Sequence, residues 1–202
     1  DTKDIQGLVL KGYGNMRNTK YCFLQIQHAA KAKKWLDKVA VNISDGDHSP
    51  ENACLNIAFT YHGLSALGIN EKNLRNFGRE FREGMATPHR QRLLGDFDSS
   101  DPKHWRWGGK NGKPCDEENI HILLLVFGKD KETLHQFYTD LEKELGNEAF
   151  TILQVLDGQL NKDNKEHFGF RDGIAQPILK EAGHTGEENN MAAPAASLLR
   201  HK

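Results

Sequence analysis

The 202-residue chain has no long apolar run, no dominant charge and few cysteines, and each absence removes a class of function. No stretch reaches the length a membrane-spanning helix needs. Lysine and arginine number 27 against 28 acidic residues, so bulk charge draws the chain to neither nucleic acid nor an anionic membrane. Cys22, Cys54 and Cys115 are odd in number, and no pair has C-x-x-C spacing. Cys22 and Cys54 lie in apolar runs, which suits buried free thiols better than a disulfide framework or a metal knot. That usage leans toward a reducing, cytoplasmic setting without excluding secretion. No leader pattern opens the chain, which starts at Asp1. There is no H-E-x-x-H, no zinc spacing of Cys and His, and no phosphate loop, since Gly108-Gly109-Lys110 lacks the frame. The hydrophobic fraction is only 37%, which predicts long polar loops around one compact centre.

What is present is a repeated pattern of strand and helix. Ile5 to Tyr13 reads as an entry segment of alternating apolar character, broken by glycines. Strands are predicted over 21–27, 54–61, 120–127 and 150–156. The third has a near-continuous apolar run and should be central. The Asp157-Gly158 pair is read as the turn that closes the fourth. A helix over 29–39 would bury Ala32, Trp35, Leu36 and Val39. A second over 129–145 would bury Leu134, Phe137, Tyr138, Leu141 and Leu145, with Gly146 as its C-cap. Between the second and third strands lies a polar run of short helices (61–94), then a long loop (95–118) holding Trp105 and Trp107. The order is β-α-β, insertion, β-α-β. It predicts an α+β, ferredoxin-like fold: an antiparallel sheet with two helices on one face. The module is expected over 1–160, with 161–202 as a motif segment and polar tail.

The chemically informative stretch follows the last strand: His167-Phe168-Gly169-Phe170-Arg171-Asp172-Gly173-Ile174-Ala175-Gln176-Pro177. Two glycines flank an acid, which permits a tight backbone and close approach to a flat ligand. A carboxylate among apolar neighbours is a candidate proton shuttle. On spacing alone G-x-x-D-G is short and common in turns, and Arg171 beside Asp172 reads equally as a surface pair. His28, His62, His89 and His121 are isolated and read as structural or solvated. Tyr138 lies on a core stripe and reads as packing, while Trp105 and Trp107 stay open between packing and electron relay.

Gly169-Phe170-Arg171-Asp172-Gly173-Ile174-Ala175-Gln176-Pro177 resembles the distal motif of the dye-decolorizing peroxidases. Four further segments match that family in the same order. They are Asp4-Ile5-Gln6-Gly7-Leu8-Val9-Leu10-Lys11-Gly12-Tyr13, Asn56-Ile57-Ala58-Phe59-Thr60-Tyr61-His62-Gly63-Leu64-Ser65-Ala66-Leu67-Gly68, Phe81-Arg82-Glu83-Gly84-Met85-Ala86 and Leu94-Gly95-Asp96. The resemblance covers residues 4 to 180. It implies a haem b enzyme that reduces hydrogen peroxide and oxidises dyes, phenols or another bulky organic reductant. The distal acid of the family maps onto Asp172, which would move a proton between the two oxygens of peroxide. Gly169, Phe170, Arg171, Gly173 and Ile174 would be haem neighbours. The family's iron-ligating histidine and distal arginine come from a second ferredoxin-like half well downstream. Only His184 and His201 follow Asp172, and neither matches the ligand position, nor does Arg200 match the arginine. The chain is therefore expected to be an N-terminal half, completed by another segment or chain. The alternative is a non-catalytic ferredoxin-like module that dimerises or binds a partner.

Overall fold

The computed structural model describes residues 2–10, 12–145, 148–161 and 165–170. Gly146, expected as a C-cap, lies outside them. The sheet has four strands: β1 (Asn18–Ile26), β2 (Ala53–Phe59), β3 (Ile122–Gly128) and β4 (Phe150–Gln159). All pairings are antiparallel, in the order β2-β3-β1-β4, which is the expected ferredoxin-like topology. The apolar strand β3 is central, as its run from Ile122 to Phe127 requires.

Period-two alternation sets which face is covered. On β1, Cys22, Leu24 and Ile26 are buried, and so are their neighbours Ile122, Leu124 and Val126 on β3. Against them lie the helices α2 (Ala29–Val39) and α7 (Lys131–Leu145). Helix α2 contributes Ala32, Trp35 and Val39, with Trp35 edge-on to Phe150 at 5.2 Å. Helix α7 contributes Leu134, Tyr138, Leu141 and Leu145. Each fully buried Leu here stabilises the fold by about 1.5–3 kcal/mol relative to exposure. Gly128 lets the start of α7 close on β3, since a Cβ there would stand 2.7 Å from the Leu134 Cβ. Cys22, Cys54 and Cys115 are buried free thiols, as expected for the first two.

Among the described residues, neither α2 nor α7 covers the opposite face. Tyr21 and Phe23 of β1, Leu123 and Leu125 of β3, and Leu156 of β4 sit there half-buried. One end is roofed by Tyr13, whose ring meets Phe127 edge-on at 5.1 Å and whose hydroxyl donates to Asn56 at 2.9 Å. The outer edge of β2 is stapled by Gln6. Its amide donates to the Ile57 carbonyl and its oxygen accepts from the Ile57 N–H, both at 2.8 Å.

Two expectations need correction. Asp157-Gly158 is not a turn: β4 runs through it to Gln159. Asp157 accepts from Lys20 at 2.6 Å across the ladder. A Cβ at Gly158 would stand 2.8 Å from Thr19 Oγ1 and 3.0 Å from Tyr21, so the glycine serves close strand approach. The entry segment is not an extended alternating run either. It forms a one-turn helix, α1 (Gly7–Leu10), preceded by a single bridge from Gln6 to Asp45.

The insertion holds four short helices: α3 (Tyr61–Ala66), α4 (Glu71–Leu74), α5 (Arg79–Glu83) and α6 (Pro88–Leu94). Thr60, Asn70 and Thr87 cap α3, α4 and α6 by accepting a backbone N–H. The loop after α6 returns to β3 through 3-10 turns at Asp98–Ser100 and Pro102–His104.

Candidate functional site

Strand β4 delivers the chain to the motif. Beyond Gln159, the Leu160 N–H donates to the Arg17 carbonyl at 2.9 Å, and Arg17 donates back to the Asn161 carbonyl at 2.6 Å. These bonds tie the exit of β4 to the entry of β1. A tight turn then forms over 166–170: the Glu166 N–H donates to the Phe170 carbonyl at 2.7 Å, and the Gly169 N–H donates to the Glu166 carbonyl at 2.9 Å. Gly169 takes φ +91°, with nothing within 4 Å of where a Cβ would stand, so only its backbone conformation demands glycine. Phe168 and Phe170 are 74% and 73% exposed, their ring centroids 6.0 Å apart. Two adjacent phenyl rings left that open form an uncovered apolar wall at the mouth of the motif.

Of the six site residues expected from the sequence, the structure describes Gly169 and Phe170. Arg171, Asp172, Gly173 and Ile174 lie outside the described residues, as do His184, Arg200 and His201. A cavity of about 550 Å³ lies beside the loop, at the ends of β1 and β4, and His167 lines it. Lys20, Lys131, His135 and Asp157 make it polar, so it offers no flat apolar slot. Among the described residues no group of three His, Cys, Asp or Glu side chains is placed to hold a metal ion.

Of the isolated histidines, His121 and His62 have structural places, while His28 and His89 are exposed. His121 accepts the Ile26 N–H on Nδ1 at 3.0 Å, and its Nε2 faces the Glu118 carbonyl at 3.1 Å. That fixes a neutral tautomer, and burial holds its pKa below the ordinary histidine value, helped by nearby His62. His62 lies edge-on to Tyr61 at 5.5 Å. Tyr138 is a core residue as read from its stripe: its hydroxyl donates to Glu142 at 3.1 Å and Lys20 stands 5.1 Å over its ring. Burial pushes its phenol pKa up.

Trp105 and Trp107 are placed on the insertion. Trp105 donates its indole N–H to the Ser100 carbonyl at 2.8 Å. Trp107 is 44% exposed and rests against Phe23 on the sheet face opposite α2 and α7, with centroids 6.2 Å apart. Both line a cavity of about 520 Å³ with Gly84, Met85, Arg106, Gly108 and Glu117. Sequence reading named the tryptophans but not this cavity, because Gly84 and Glu117 are distant in the chain and neither sits in a motif.

Comparison with known proteins agrees with this fold. Residues 4–160 match the DyP dimeric alpha+beta barrel domain. A dye-decolorizing peroxidase of Exidia glandulosa is 30% identical over 193 residues, covering 91% of this chain and 35% of that protein. One from Mycena epipterygia is 28% identical over 192 residues, covering 89% of this chain and 32% of its own length. Among solved structures, the DyP-type peroxidase of Anabaena sp. superposes with TM-score 0.73 at 25% identity, covering 88% of this chain and 40% of that one. An ancestral D-type dye-decolorizing peroxidase gives TM-score 0.70 at 28% identity, over 89% of this chain and 40% of its own. The chain thus spans about a third of the length of the curated relatives it matches. With most of its length in that domain, the chain belongs to the dye-decolorizing peroxidase family.

Proposed function

We propose that this chain is the acid–base portion of a haem peroxidase of the dye-decolorizing type, with Asp172 as the group that handles the peroxide proton. The observation that carries the reading is positional. The Gly169-to-Gly173 string begins ten residues after Gln159, the end of β4, in a module that matches the family domain, and the described turn over 166–170 leads into it with its aromatic rings largely exposed. The exposed Phe168 and Phe170 rings and the open backbone at Gly169 fit one side of a flat, apolar macrocycle. When bound, haem b supplies the electrons that reduce hydrogen peroxide and recovers them from an organic reductant. A solved relative is described in complex with 2,6-dimethoxyphenol, which makes phenols and bulky aromatic dyes the reductant class to expect here.

In this reading Asp172 acts as a carboxylate base and then as an acid. It accepts the proton of one peroxide oxygen and returns it to the other, so that the second leaves as water. A positioned carboxylate in that role contributes about 10²–10⁴-fold. Gly169 and Gly173 keep the backbone slim on either side of it. The iron ligand and the arginine that steadies peroxide come from sequence downstream of the motif, in the same polypeptide or a complementing one. The test is steady-state turnover of hydrogen peroxide by the haem-loaded protein completed with the downstream half, with Asp172→Asn beside it. Turnover should fall by about 10²–10⁴-fold while the haem absorbance is retained; undiminished turnover removes Asp172 from the role.

The sheet face opposite α2 and α7 supports a second, compatible reading. Tyr21, Phe23, Leu123, Leu125 and Leu156 form a half-buried apolar strip, the kind of surface that a second copy or a complementing half covers.

A further inference from the structure

We propose that the insertion carries a binding site for a small planar aromatic molecule bearing a hydroxyl donor, a phenol, with Glu117 as its polar anchor. Two neighbouring cavities, about 520 and 340 Å³, share a wall made of Gly84, Gly108 and Glu117. Volumes of this size are those of small-molecule sites. The first is walled by Trp105, Trp107 and Met85. The second is walled by Phe59, Tyr61 and Phe81. The exposed lining of both is mostly apolar, with Arg106 at the first and His62, Glu80, Arg82 and Glu83 around the second, and an apolar wall with a few polar groups suits a flat aromatic ring.

The polar group is placed rather than incidental. The Glu117 side chain is only 15% exposed and bonds Lys110 through Oε1 at 2.9 Å. Its Oε2 points instead at the shared wall, 3.1 Å from where a Gly84 Cβ would stand, and accepts no hydrogen bond among the described residues. Gly84 takes φ +66°, which disfavours any side chain there and keeps the wall low beside that oxygen. Gly108 also takes a positive φ, +68°, and donates its N–H to the Cys115 carbonyl at 2.7 Å, which fixes the loop below Trp107. A half-buried carboxylate oxygen that accepts no hydrogen bond from the described residues, in a cavity also lined by two indoles and a thioether, suits a ligand with an aromatic face and one O–H. The phenol would donate to Oε2 while its ring lies against Trp107, whose other neighbour is Phe23. An aliphatic alcohol would lose the stacking, and an aryl ether would lose the donor.

The site goes beyond the peroxidase reading and does not depend on it, because binding needs neither haem nor turnover. The experiment is an NMR titration of the haem-free 202-residue chain with 4-methylphenol, and with 4-methylanisole as the ring without a donor. The three tryptophans give three indole N–H signals, and Trp35 in the core serves as the internal reference. With 4-methylphenol, the Trp105 and Trp107 indole signals and the Gly84 and Gly108 amides should shift together and saturate, with a millimolar or tighter dissociation constant for so small a ligand. Trp35 should not move. Glu117→Gln, which keeps the shape, should weaken the phenol by about tenfold and leave the anisole unchanged, as expected for loss of a charge-assisted hydrogen bond. Trp107→Leu should weaken both ligands. Shifts at Tyr21, Leu125 or Leu156 without movement at Gly84 would overturn the proposal in favour of nonspecific adsorption to the sheet face opposite α2 and α7. Equal binding of phenol and anisole, or no saturation, would overturn it as well.

Discussion

Gly63→Ala should destabilise the chain strongly, for a reason visible in the backbone. Gly63 sits in the first turn of α3, where a Cβ would stand 2.0 Å from the His121 carbonyl oxygen and 2.7 Å from its carbon. Both atoms are backbone, so no rotamer relieves the clash. Helix α3 would have to retreat by about an ångström to restore ordinary contact. That movement pulls on two bonds anchoring the insertion to the residues that lead into β3: the Thr60 N–H to the His121 carbonyl at 3.1 Å, and the Thr60 hydroxyl to the Ile120 carbonyl at 2.7 Å. Overpacking of this kind costs about 1–3 kcal/mol. Losing the two bonds adds about 1 kcal/mol each. Replacing a helical glycine by alanine returns about 1 kcal/mol. The net loss is about 2–4 kcal/mol, and for a domain of this size the melting point should fall by about 5–15 °C. Gly12→Ala is the control, since nothing lies within 4 Å of its would-be Cβ, and it should stay within about 0.5 kcal/mol of the parent. Urea unfolding and thermal melts followed by circular dichroism measure both. A Gly63→Ala melt within about 2 °C of the parent would refute the packing argument.

Two further outcomes follow from the same geometry. His121 is held neutral in the fold because burial lowers its pKa below the unfolded value near 6.5. Below that pH the unfolded chain takes up the proton first, so stability is present above pH about 6.5 and is lost as pH falls toward the depressed folded value. His121→Gln should flatten that part of the stability–pH curve, and an unchanged slope would exclude His121 as its source. On the sheet face opposite α2 and α7, sedimentation equilibrium should find the parent chain self-associating at micromolar concentration and Leu125→Glu monomeric. A parent chain that stays monomeric would argue against a second copy covering that strip.

The fold was legible because each element advertises its buried face. Cys22, Leu24 and Ile26 alternate on one strand, and Leu134, Tyr138, Leu141 and Leu145 recur at helical spacing on α7. Where reading failed, a local signal was overridden by a distant contact. Asp157-Gly158 has the composition of a turn, but Lys20 pairs with the aspartate and Thr19 and Tyr21 press against the glycine, all from β1. The entry segment looked extended because its glycines hid a helical turn, which is held down by the Gln6 staple to Ile57. The motif around Asp172 was legible only through family resemblance, since two glycines and an acid carry little information alone. The cavity beneath Trp107 was not legible at all. It is assembled from the two residues that follow α5 and the returning loop, and Glu117 belongs to no pattern until Gly84 lies beside it.

The most direct test of the account is an absorbance-monitored hemin titration of the 202-residue chain, parent and Asp172→Ala, with peroxide and a phenol added at each step. Neither chain alone should sustain turnover. Turnover should appear in the parent, but not in Asp172→Ala, once the downstream half of a relative is supplied in trans. Turnover by the short chain alone, or equal turnover with alanine at position 172, would contradict it.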